Sequence, residues 1–275
     1  MESQIVTRTL SPEIVDAQAA LLRACYADQK AMAPIREAAA QATMDDAYAI
    51  QAVNTAYWEA EGRTAVGAKI GLTSKAVQAQ LSVDQPDFGC LFADMEVPDG
   101  GSVAPGRLIQ PKVEAEVAFV MDRAPDAAKL TTSELIDSVG YALPAIEIVD
   151  SRIADWNIGI VDTIADNASS GLFVLGPSPV TIDALDLRLC GMVLEVNGAP
   201  VSFGAGAACL GNPLRALGWL ARKMAEVGRP LRKGDLVLSG ALGPMVTVAP
   251  GDTVEARING LGAVHVRFDG EKANA

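Results

Sequence analysis

The sequence predicts an α+β fold, in which a helical N-terminal segment (residues 1–62) precedes a larger domain of short strands and turns (residues 63–275). Two helix-starting signals, each followed by apolar residues at helical spacing, lie within the first 62 residues. From Thr64 onward the apolar runs are short and are separated by glycine, proline and asparagine, which is typical of strands and turns. Half of the 275 residues are hydrophobic, so the chain can bury a substantial core.

The first two helices are predicted from their capping residues. Ser11-Pro12-Glu13 is typical of a helix start, because serine caps the helix and proline fits its first position. Thr43 and Asp46 form a second capping signal, and Gly62 ends that helix. The predicted apolar faces comprise Ile14, Ala17, Leu21, Leu22 and Cys25 in the first helix and Ile50, Val53, Ala56 and Tyr57 in the second. We expect these faces to pack on the larger domain or on a neighbouring subunit.

The next part of the chain is predicted to alternate strands, a loop and short helices. The predicted elements are a strand at Val66–Leu72, a helix from Thr73 to Gln80, a loop at Asp84–Gly89 and a helix from Thr131 to about Gly140. Lys69 stands among small apolar residues of the first strand. A lysine at the edge of a strand ordinarily extends its ammonium group into solvent, which is one interpretation of this residue.

The last third of the chain contains two hairpin signals and one long helix. Asn197-Gly198 and Asn259-Gly260, each between apolar runs, predict tight turns. Asn212-Pro213 starts a helix that ends at Gly228. Its predicted core face comprises Leu214, Leu217, Leu220, Met224 and Val227. The only histidine, His265, alternates with apolar residues and is expected to face outward in a structural role.

Acidic residues interrupt two otherwise apolar strands. Within Pro111–Val120, Glu114 and Glu116 project from the same face, because side chains alternate between the two faces of a strand. Glu147 interrupts a second apolar run at Ala142–Asp150. The ordinary alternative is a half-exposed strand with an acidic outer face.

Three glutamates on apolar strands predict a metal site formed by Glu114, Glu116 and Glu147. Carboxylates that lie close together in a poorly hydrated site cannot all stay ionised unless a positive charge compensates them. An all-oxygen ligand set suits a hard divalent cation, Mg²⁺ or Mn²⁺. Because the chain has a single histidine, acid–base chemistry falls mainly to carboxylates, lysine or metal-bound water.

Composition argues against several classes of partner. The formal net charge of −12 disfavours nucleic acid and anionic membranes, since phosphates are bound by basic patches. No run reaches the ~18 apolar residues of a membrane span, and the first residues lack the pattern of a signal peptide. The four cysteines are far apart in the sequence, which favours reduced thiols in a cytoplasmic protein.

Two segments, 151–156 and 162–171, are dense in small polar residues. Irregular segments of this kind either carry function or cap a sheet, and the sequence leaves both interpretations open.

Six motifs carry a resemblance to a known family. They are Lys69–Lys75, Val83–Gly89, Pro111–Glu116, Leu143–Glu147, Ala165–Ala168 and Ser239–Met245. Together they resemble the fumarylacetoacetate hydrolase superfamily over most of the chain, and within it the 2-hydroxypenta-2,4-dienoate hydratases of aromatic meta-cleavage pathways. The related 4-oxalocrotonate decarboxylases share these motifs, although Gly240–Met245 is closer to the hydratase form.

The resemblance implies a mixed β-roll that carries the catalytic site, a helical N-terminal segment, bound Mg²⁺ or Mn²⁺ and assembly into a homo-oligomer. It implies that the metal ligands are Glu114, Glu116 and Glu147, in agreement with the strand pattern. Hydrolytic members of the superfamily use a histidine and glutamate pair to activate water. No histidine stands in the matching N-terminal region, so hydrolysis of a carbon–carbon bond is not expected.

The resemblance also implies roles around the substrate. It places Lys69 and Asp87 beside the substrate as the residues for proton transfer. For Asp87, turn formation is the ordinary alternative, because aspartate favours such loops. The residues implied at the substrate carboxylate are Ser239, Gly240 and Leu242.

The implied activity is the addition of water to a small molecule, 2-hydroxypenta-2,4-dienoate, to give 4-hydroxy-2-oxopentanoate. The alternatives are a metal-dependent decarboxylase acting on 2-oxo-3-hexenedioate, a non-catalytic partner subunit of a decarboxylase, and a structural metal-binding domain. Lys69 and all three glutamates are present, which disfavours the non-catalytic subunit. An association with a decarboxylase or aldolase of the same pathway is left open.

Overall fold

Two mixed β-sheets share one hydrophobic core in the computed structural model, which describes residues 8–80 and 83–271. The strands are β1 Ala65–Gly71, β2 Asp87–Phe92, β3 Glu96–Val97, β4 Ser102–Val103, β5 Pro111–Met121, β6 Val139–Asp150, β7 Ser170–Leu175, β8 Gly191–Val196, β9 Ala199–Ala205, β10 Leu236–Ala241, β11 Val246–Thr247, β12 Thr253–Ile258 and β13 Gly262–Phe268. The helices are α1 Pro12–Asp28, α2 Ile35–Ala38, α3 Met44–Ala60, α4 Lys75–Gln80, α5 Thr132–Ser138, α6 Ile160–Ala165 and α7 Pro213–Glu226. Residues 1–7 of the predicted helical segment lie outside the described residues.

The order of the strands confirms the predicted α+β fold with mixed sheets. The larger sheet runs β2-β1-β10-β5-β6-β7-β3, with β11 also paired to β5, and the smaller sheet runs β4-β13-β12-β8-β9. Each sheet combines antiparallel neighbours with at least one parallel pair, namely β1 with β10, β3 with β7, and β4 with β13. The predicted tight turn is present between β8 and β9, where Asn197 and Gly198 both have positive φ.

The two faces of β5 meet different surroundings. Val113, Val117 and Phe119 are fully buried in the core that the two sheets share, where β5 contacts β8 and β12 of the smaller sheet. Complete burial of each such side chain stabilises the fold by roughly 1.5–3 kcal/mol. Because side chains alternate, Glu114 and Glu116 project from the opposite face of β5, away from the smaller sheet.

The larger sheet curls so that its first strand comes close to its far side. β2 contacts β7 and the short helical turn Asn167–Ser169 that precedes β7. The Asn167 side chain closes this approach, because its Oδ1 accepts from the Cys90 backbone N–H at 2.7 Å and its Nδ2 donates to the Cys90 carbonyl at 2.9 Å. The curl brings side chains from β1, β2, β5 and β6 toward one another on the inner face.

The N-terminal helices pack on α6 through a second apolar cluster that includes Leu22, Ile35, Ile50 and Ile164. Both predicted helix starts are confirmed. α3 begins with the predicted capping box between Thr43 and Asp46, whereas Ser11 lies at the N-cap position of α1 but its side chain makes no capping hydrogen bond within the described residues. The division into domains at residues 62 and 63 remains a prediction.

Parts of the predicted apolar faces are wrong. Ile14, Leu21 and Tyr57 are exposed, and so is Val227 just beyond α7. In α3 the buried face is instead largely polar, because Gln51 donates to the backbone carbonyls of Phe88 and Ile164 at 2.8 and 2.9 Å and thereby joins the helix to β2 and α6. Apolar periodicity alone does not predict a buried face that is held by hydrogen bonds.

The predicted loop at Asp84–Gly89 is also partly wrong, because β2 begins at Asp87. Asp87 and Gly89 therefore belong to a paired strand, opposite Gly71 and Lys69 of β1.

Within the described residues, none of the helices has the length and apolar character needed to cross a membrane.

Candidate active site

Five ionisable side chains gather on the inner face of the curled sheet. Lys69 comes from β1, Asp87 from β2, Glu114 and Glu116 from β5, and Glu147 from β6. Strand pairing sets their positions, since Glu114 lies directly opposite Glu147 across the β5–β6 ladder. Lys69 reaches Glu147 although β10 and β5 lie between their strands, which is possible only because the sheet curls.

The three glutamates form a compact cluster. One carboxylate oxygen from each of Glu114, Glu116 and Glu147 lies within 4.8 Å of the others. Glu116 and Glu147 are almost fully buried, and Glu114 is partly exposed. The interpretation as an acidic outer face is therefore excluded for the two buried residues.

Several of these oxygens lack hydrogen-bond donors. Oε1 of Glu116 and both carboxylate oxygens of Glu147 are buried without a hydrogen bond from the described part of the protein. The Lys69 ammonium lies 3.0 Å from Oε1 of Glu147, but this contact is an ion pair without hydrogen-bond geometry. Buried carboxylate oxygens without donors are costly, so the cluster is incomplete as a purely structural network. Three such oxygen ligands could hold a divalent metal ion.

Lys69 is buried rather than extended into solvent, so the strand-edge interpretation is wrong. Burial alone would favour the neutral amine. The surrounding carboxylates outweigh this effect, with Glu147 and Asp87 foremost, so the pKa of Lys69 is raised and the ammonium stays charged.

Burial and mutual repulsion raise the pKa values of two of the glutamates. For Glu114, burial is the larger cause and the charge of Glu147 the next, and the pKa rises to about 7. For Glu116, burial and the charges of Glu147 and Glu114 raise the pKa well above its usual range. In the absence of a bound cation, the cluster therefore retains protons near neutral pH.

We expect the metal-free protein to become less stable as the pH rises from about 5 to about 7.5. An unfolded glutamate has a pKa of about 4.3, so over this interval the folded state binds more protons than the unfolded state and each rise in pH favours unfolding. Thermal unfolding in a chelator across this pH range measures the effect. The Glu114→Gln variant should show a flatter dependence, and an equal slope in both proteins would contradict the cause assigned here.

Asp87 is held at the inner face by contacts that a turn residue would not have. It is 1% exposed, and a Cβ atom at Gly71 would lie only 2.1 Å from its Oδ1, so glycine at position 71 makes room for the carboxylate. The Thr163 hydroxyl donates to Oδ2 at 3.3 Å, whereas Oδ1 has no hydrogen-bond partner among the residues that the structure describes. Burial raises the pKa of Asp87, and the charge of Lys69 partly offsets the rise. The interpretation of Asp87 as a turn residue is wrong.

The segment from Ser239 to Leu242 borders the glutamate cluster. Gly240 has a φ of +103°, and its backbone N–H donates to Oε2 of Glu116 at 2.7 Å. The buried Ser239 hydroxyl has only a 3.3 Å hydrogen bond to the neighbouring carbonyl of Gly240. The Leu242 side chain lies in the core, and its N–H and carbonyl pair with Ala115 and Ala205.

Sequence reasoning missed a buried network behind the site. Arg152 is fully buried, and its Nε donates to Oδ1 of Asp166 at 2.5 Å while Nη1 donates to the Ser170 carbonyl at 3.0 Å. Burial raises the pKa of Asp166 to about 6 even though Arg152 favours its ionised form. The signal was the density of polar residues in 151–156 and 162–171, which join β6 to β7 and approach β2.

Comparison with known proteins identifies the family. The family model "Fumarylacetoacetate (FAA) hydrolase C-terminal" matches residues 59–269. The chain belongs to this family. It is 58% identical over 253 residues, 92% of this chain and 96% of the other, to 2-keto-4-pentenoate hydratase 1 of Dechloromonas aromatica. It is 55% identical over 245 residues, 89% of this chain and 91% of the other, to 2-keto-4-pentenoate hydratase of Paraburkholderia xenovorans.

A solved structure of this family has nearly the same fold. The 4-oxalocrotonate decarboxylase from Pseudomonas putida G7, complexed with magnesium and adipate, superposes with a TM-score of 0.92 at 37% identity. The alignment covers 95% of this chain and all of that one. The fold is therefore common to hydratase and decarboxylase members, and the choice between the two activities depends on the site and on sequence similarity.

Proposed function

We propose that this chain is a metal-dependent hydratase that adds water to 2-hydroxypenta-2,4-dienoate, also called 2-keto-4-pentenoate, to give 4-hydroxy-2-oxopentanoate in the catabolism of aromatic compounds. The buried cluster of Glu114, Glu116 and Glu147 beside Lys69 is the observation that carries the proposal. Identity of 58% to a hydratase over 92% of the chain supports this activity rather than another of the same fold.

The three glutamates would hold Mg²⁺ or Mn²⁺. Their ligand atoms are all oxygen and lie within 4.8 Å of one another, and three of the buried oxygens receive no hydrogen bond from the part of the chain that the structure describes. When bound, the ion would supply a Lewis acid that stabilises negative charge on the carboxylate and 2-oxygen of the substrate. A magnesium complex of the decarboxylase with nearly the same fold supports this class of ion.

Lys69 and Asp87 would transfer protons around the bound dienoate. Hydration requires a proton at the far end of the diene, followed by water at C4, so one group must donate a proton and another must accept one. The charged Lys69 would donate or stabilise the developing negative charge. Asp87, whose pKa is raised and whose Oδ1 accepts no hydrogen bond within the described residues, would belong to the base.

Ser239, Gly240 and Leu242 would form the side of the site that receives the substrate carboxylate. The Ser239 hydroxyl can exchange its weak bond to the Gly240 carbonyl for a carboxylate oxygen. Gly240 would contribute by placing its backbone close to the glutamates, and Leu242 by anchoring the segment in the core.

A decarboxylase acting on 2-oxo-3-hexenedioate is the second candidate, because the decarboxylase structure superposes on nearly the whole chain. The same chelated 2-oxo acid would serve both reactions. The products differ, since decarboxylation releases carbon dioxide and hydration adds one molecule of water.

We expect the purified protein to consume the dienol, with a rate at least ~100-fold lower after removal of the metal by a chelator and restored by Mg²⁺ or Mn²⁺. Loss of ultraviolet absorbance measures the dienol, and mass spectrometry identifies a product heavier by one water. Heat-denatured protein controls for spontaneous ketonisation. Carbon dioxide release from 2-oxo-3-hexenedioate, with the dienoate unchanged, would overturn the proposal in favour of the decarboxylase.

We also propose that the protein works as a homo-oligomer in the cytoplasm. All four cysteines are free, as expected for a reducing compartment. Leu189 and Phe203 are more than 60% exposed, which provides apolar surface for a neighbouring subunit.

A further inference from the structure

Asp87 on the inner face of the larger sheet contacts a neutral hydroxyl group from outside that sheet. Thr163 of α6 is 5% exposed, and its hydroxyl lies 3.3 Å from Oδ2 of Asp87 and 3.5 Å from the hydroxyl of Ser169. Ser169 is also buried. The three side chains therefore form a short row, Ser169, Thr163 and Asp87, that ends at the site.

The direction of the hydrogen bonds in this row follows from chemistry. An ionised carboxylate can only accept, so the Thr163 hydroxyl must donate to Asp87. The single proton of Thr163 is then used, and Ser169 must donate to Thr163 if that longer contact is a hydrogen bond. The Thr163 hydroxyl thus fixes Oδ2 of Asp87, and Oδ1, which lies over Gly71, has no hydrogen bond from any described residue.

The protein maintains this row with an unfavourable backbone. Asn167, Ala168 and Ser169 are three consecutive residues other than glycine with φ near +53°. Such conformations cost free energy and persist only where the surroundings enforce them, which is common at functional sites. Here the Asn167 side chain is hydrogen-bonded to the backbone N–H and carbonyl of Cys90, and the Ser170 hydroxyl donates to the Asn167 carbonyl at 2.7 Å.

We propose that Thr163 is a positioning residue for Asp87, whose hydroxyl orients the carboxylate so that Oδ1 faces the substrate for proton transfer. This inference rests on the proposed hydratase function. The strained segment 167–169 would then hold the Ser169 hydroxyl against Thr163, and Thr163 against the Asp87 carboxylate. The charged groups that act on Asp87 are Lys69 of β1 and Glu147 of β6, and the charge of Asp87 in turn raises the pKa values of Glu114 on β5 and Tyr48 on α3.

The test compares Thr163→Val, which keeps the shape and loses the hydroxyl, with Thr163→Ser, which keeps the hydroxyl. We expect the valine variant to lower kcat about tenfold with KM within twofold. Without the hydroxyl of Thr163, the Asp87 carboxylate is less well oriented for proton transfer, whereas the contacts that bind the substrate remain. The serine variant should retain at least half of the wild-type kcat. The hydrogen bond from Thr163 favours the ionised form of Asp87, so its loss should shift the acid limb of the pH–rate profile to higher pH.

The outcomes separate this inference from the proposed function. If the wild-type protein does not hydrate the dienoate, the function fails. If it does, and Thr163→Val matches the wild type or falls together with Thr163→Ser, the positioning role is overturned. Thr163→Ala, measured with its thermal midpoint, replaces the valine variant if that one does not fold. A lower kcat at an unchanged midpoint with a shifted acid limb supports the inference, and a lower midpoint with an unchanged limb overturns it in favour of a structural role.

Discussion

Replacing Glu116 with glutamine is expected to reduce hydration of the dienoate about 1000-fold or more, since Lewis-acid stabilisation by a bound metal is worth several kcal/mol. The substitution preserves shape, and the amide oxygen can still accept from the Gly240 backbone N–H. It removes a negative charge from a buried cluster whose function, as proposed, requires that charge. Rates of dienol consumption at saturating Mg²⁺ measure the loss.

The same variant should have the opposite effect on the stability of the metal-free protein. Glu116 is buried beside two other carboxylates, so the metal-free fold must either hold a proton on it or bear its charge. Glutamine avoids both costs, and the metal-free thermal midpoint near neutral pH should therefore rise by a few degrees. The additional rise that Mg²⁺ or Mn²⁺ gives the wild type should disappear. Glu255→Gln, an acid of the smaller sheet paired with Arg257, is the matched control and should keep both activity and the metal response. Retained turnover in Glu116→Gln would remove the basis for the metal site.

The pair of acids on β5 was predictable because it depends only on local alternation. Glu114 and Glu116 are two residues apart in an apolar run, so a strand must place them on one face. The same rule predicts that Val113, Val117 and Phe119 lie on the opposite, buried face of β5. The starts of α1 and α3 are predictable for the same reason, since each start depends on a few neighbouring residues.

Other parts of the site depend on long-range pairing, which the sequence does not display. Glu147 joins the cluster because β6 pairs with β5 in a register that puts it opposite Glu114. Lys69 reaches it only through the curl of a sheet that joins β1 to β6 by way of β10 and β5. A lysine on an apolar strand therefore had two interpretations until the neighbours of the strand were known.

Two of the incorrect predictions concern residues that are common at protein surfaces or in turns. A face of α3 that carries Gln51 and Asn54 is buried because its polar groups are hydrogen-bonded, and an apolar periodicity cannot indicate this. Pro86 and Gly89, which flank Asp87, predict a loop at this position. Gly89 instead permits the close approach of the Asn167 carbonyl to β2. In both cases, residue types that are common at surfaces or in turns make buried contacts near the site.

Replacing Lys69 with methionine is expected to lower kcat by at least ~100-fold. This is the usual contribution of a group that transfers a proton, or stabilises the developing negative charge, in the transition state. Methionine approximates the aliphatic part of lysine and leaves the site without its buried ammonium. In contrast to Glu116→Gln, this variant should retain the rise in thermal midpoint with Mg²⁺ or Mn²⁺. Its carboxylates lose a competing cation, so the rise should be equal to or larger than that of the wild type.

The contrast between the two variants separates chemistry from metal binding. Lys233→Met is the control, because Lys233 is 75% exposed and pairs with Asp122 on the surface, so its loss should leave kcat and the metal response unchanged. If Lys69→Met turned over the dienoate at the wild-type rate, proton transfer would have to come from another group. If it lost the metal response together with activity, Lys69 would act by holding Glu147 in place, since the ion pair at 3.0 Å is its closest charged contact among the described residues. Loss of turnover with an intact metal response is the result that assigns Lys69 to the reaction itself.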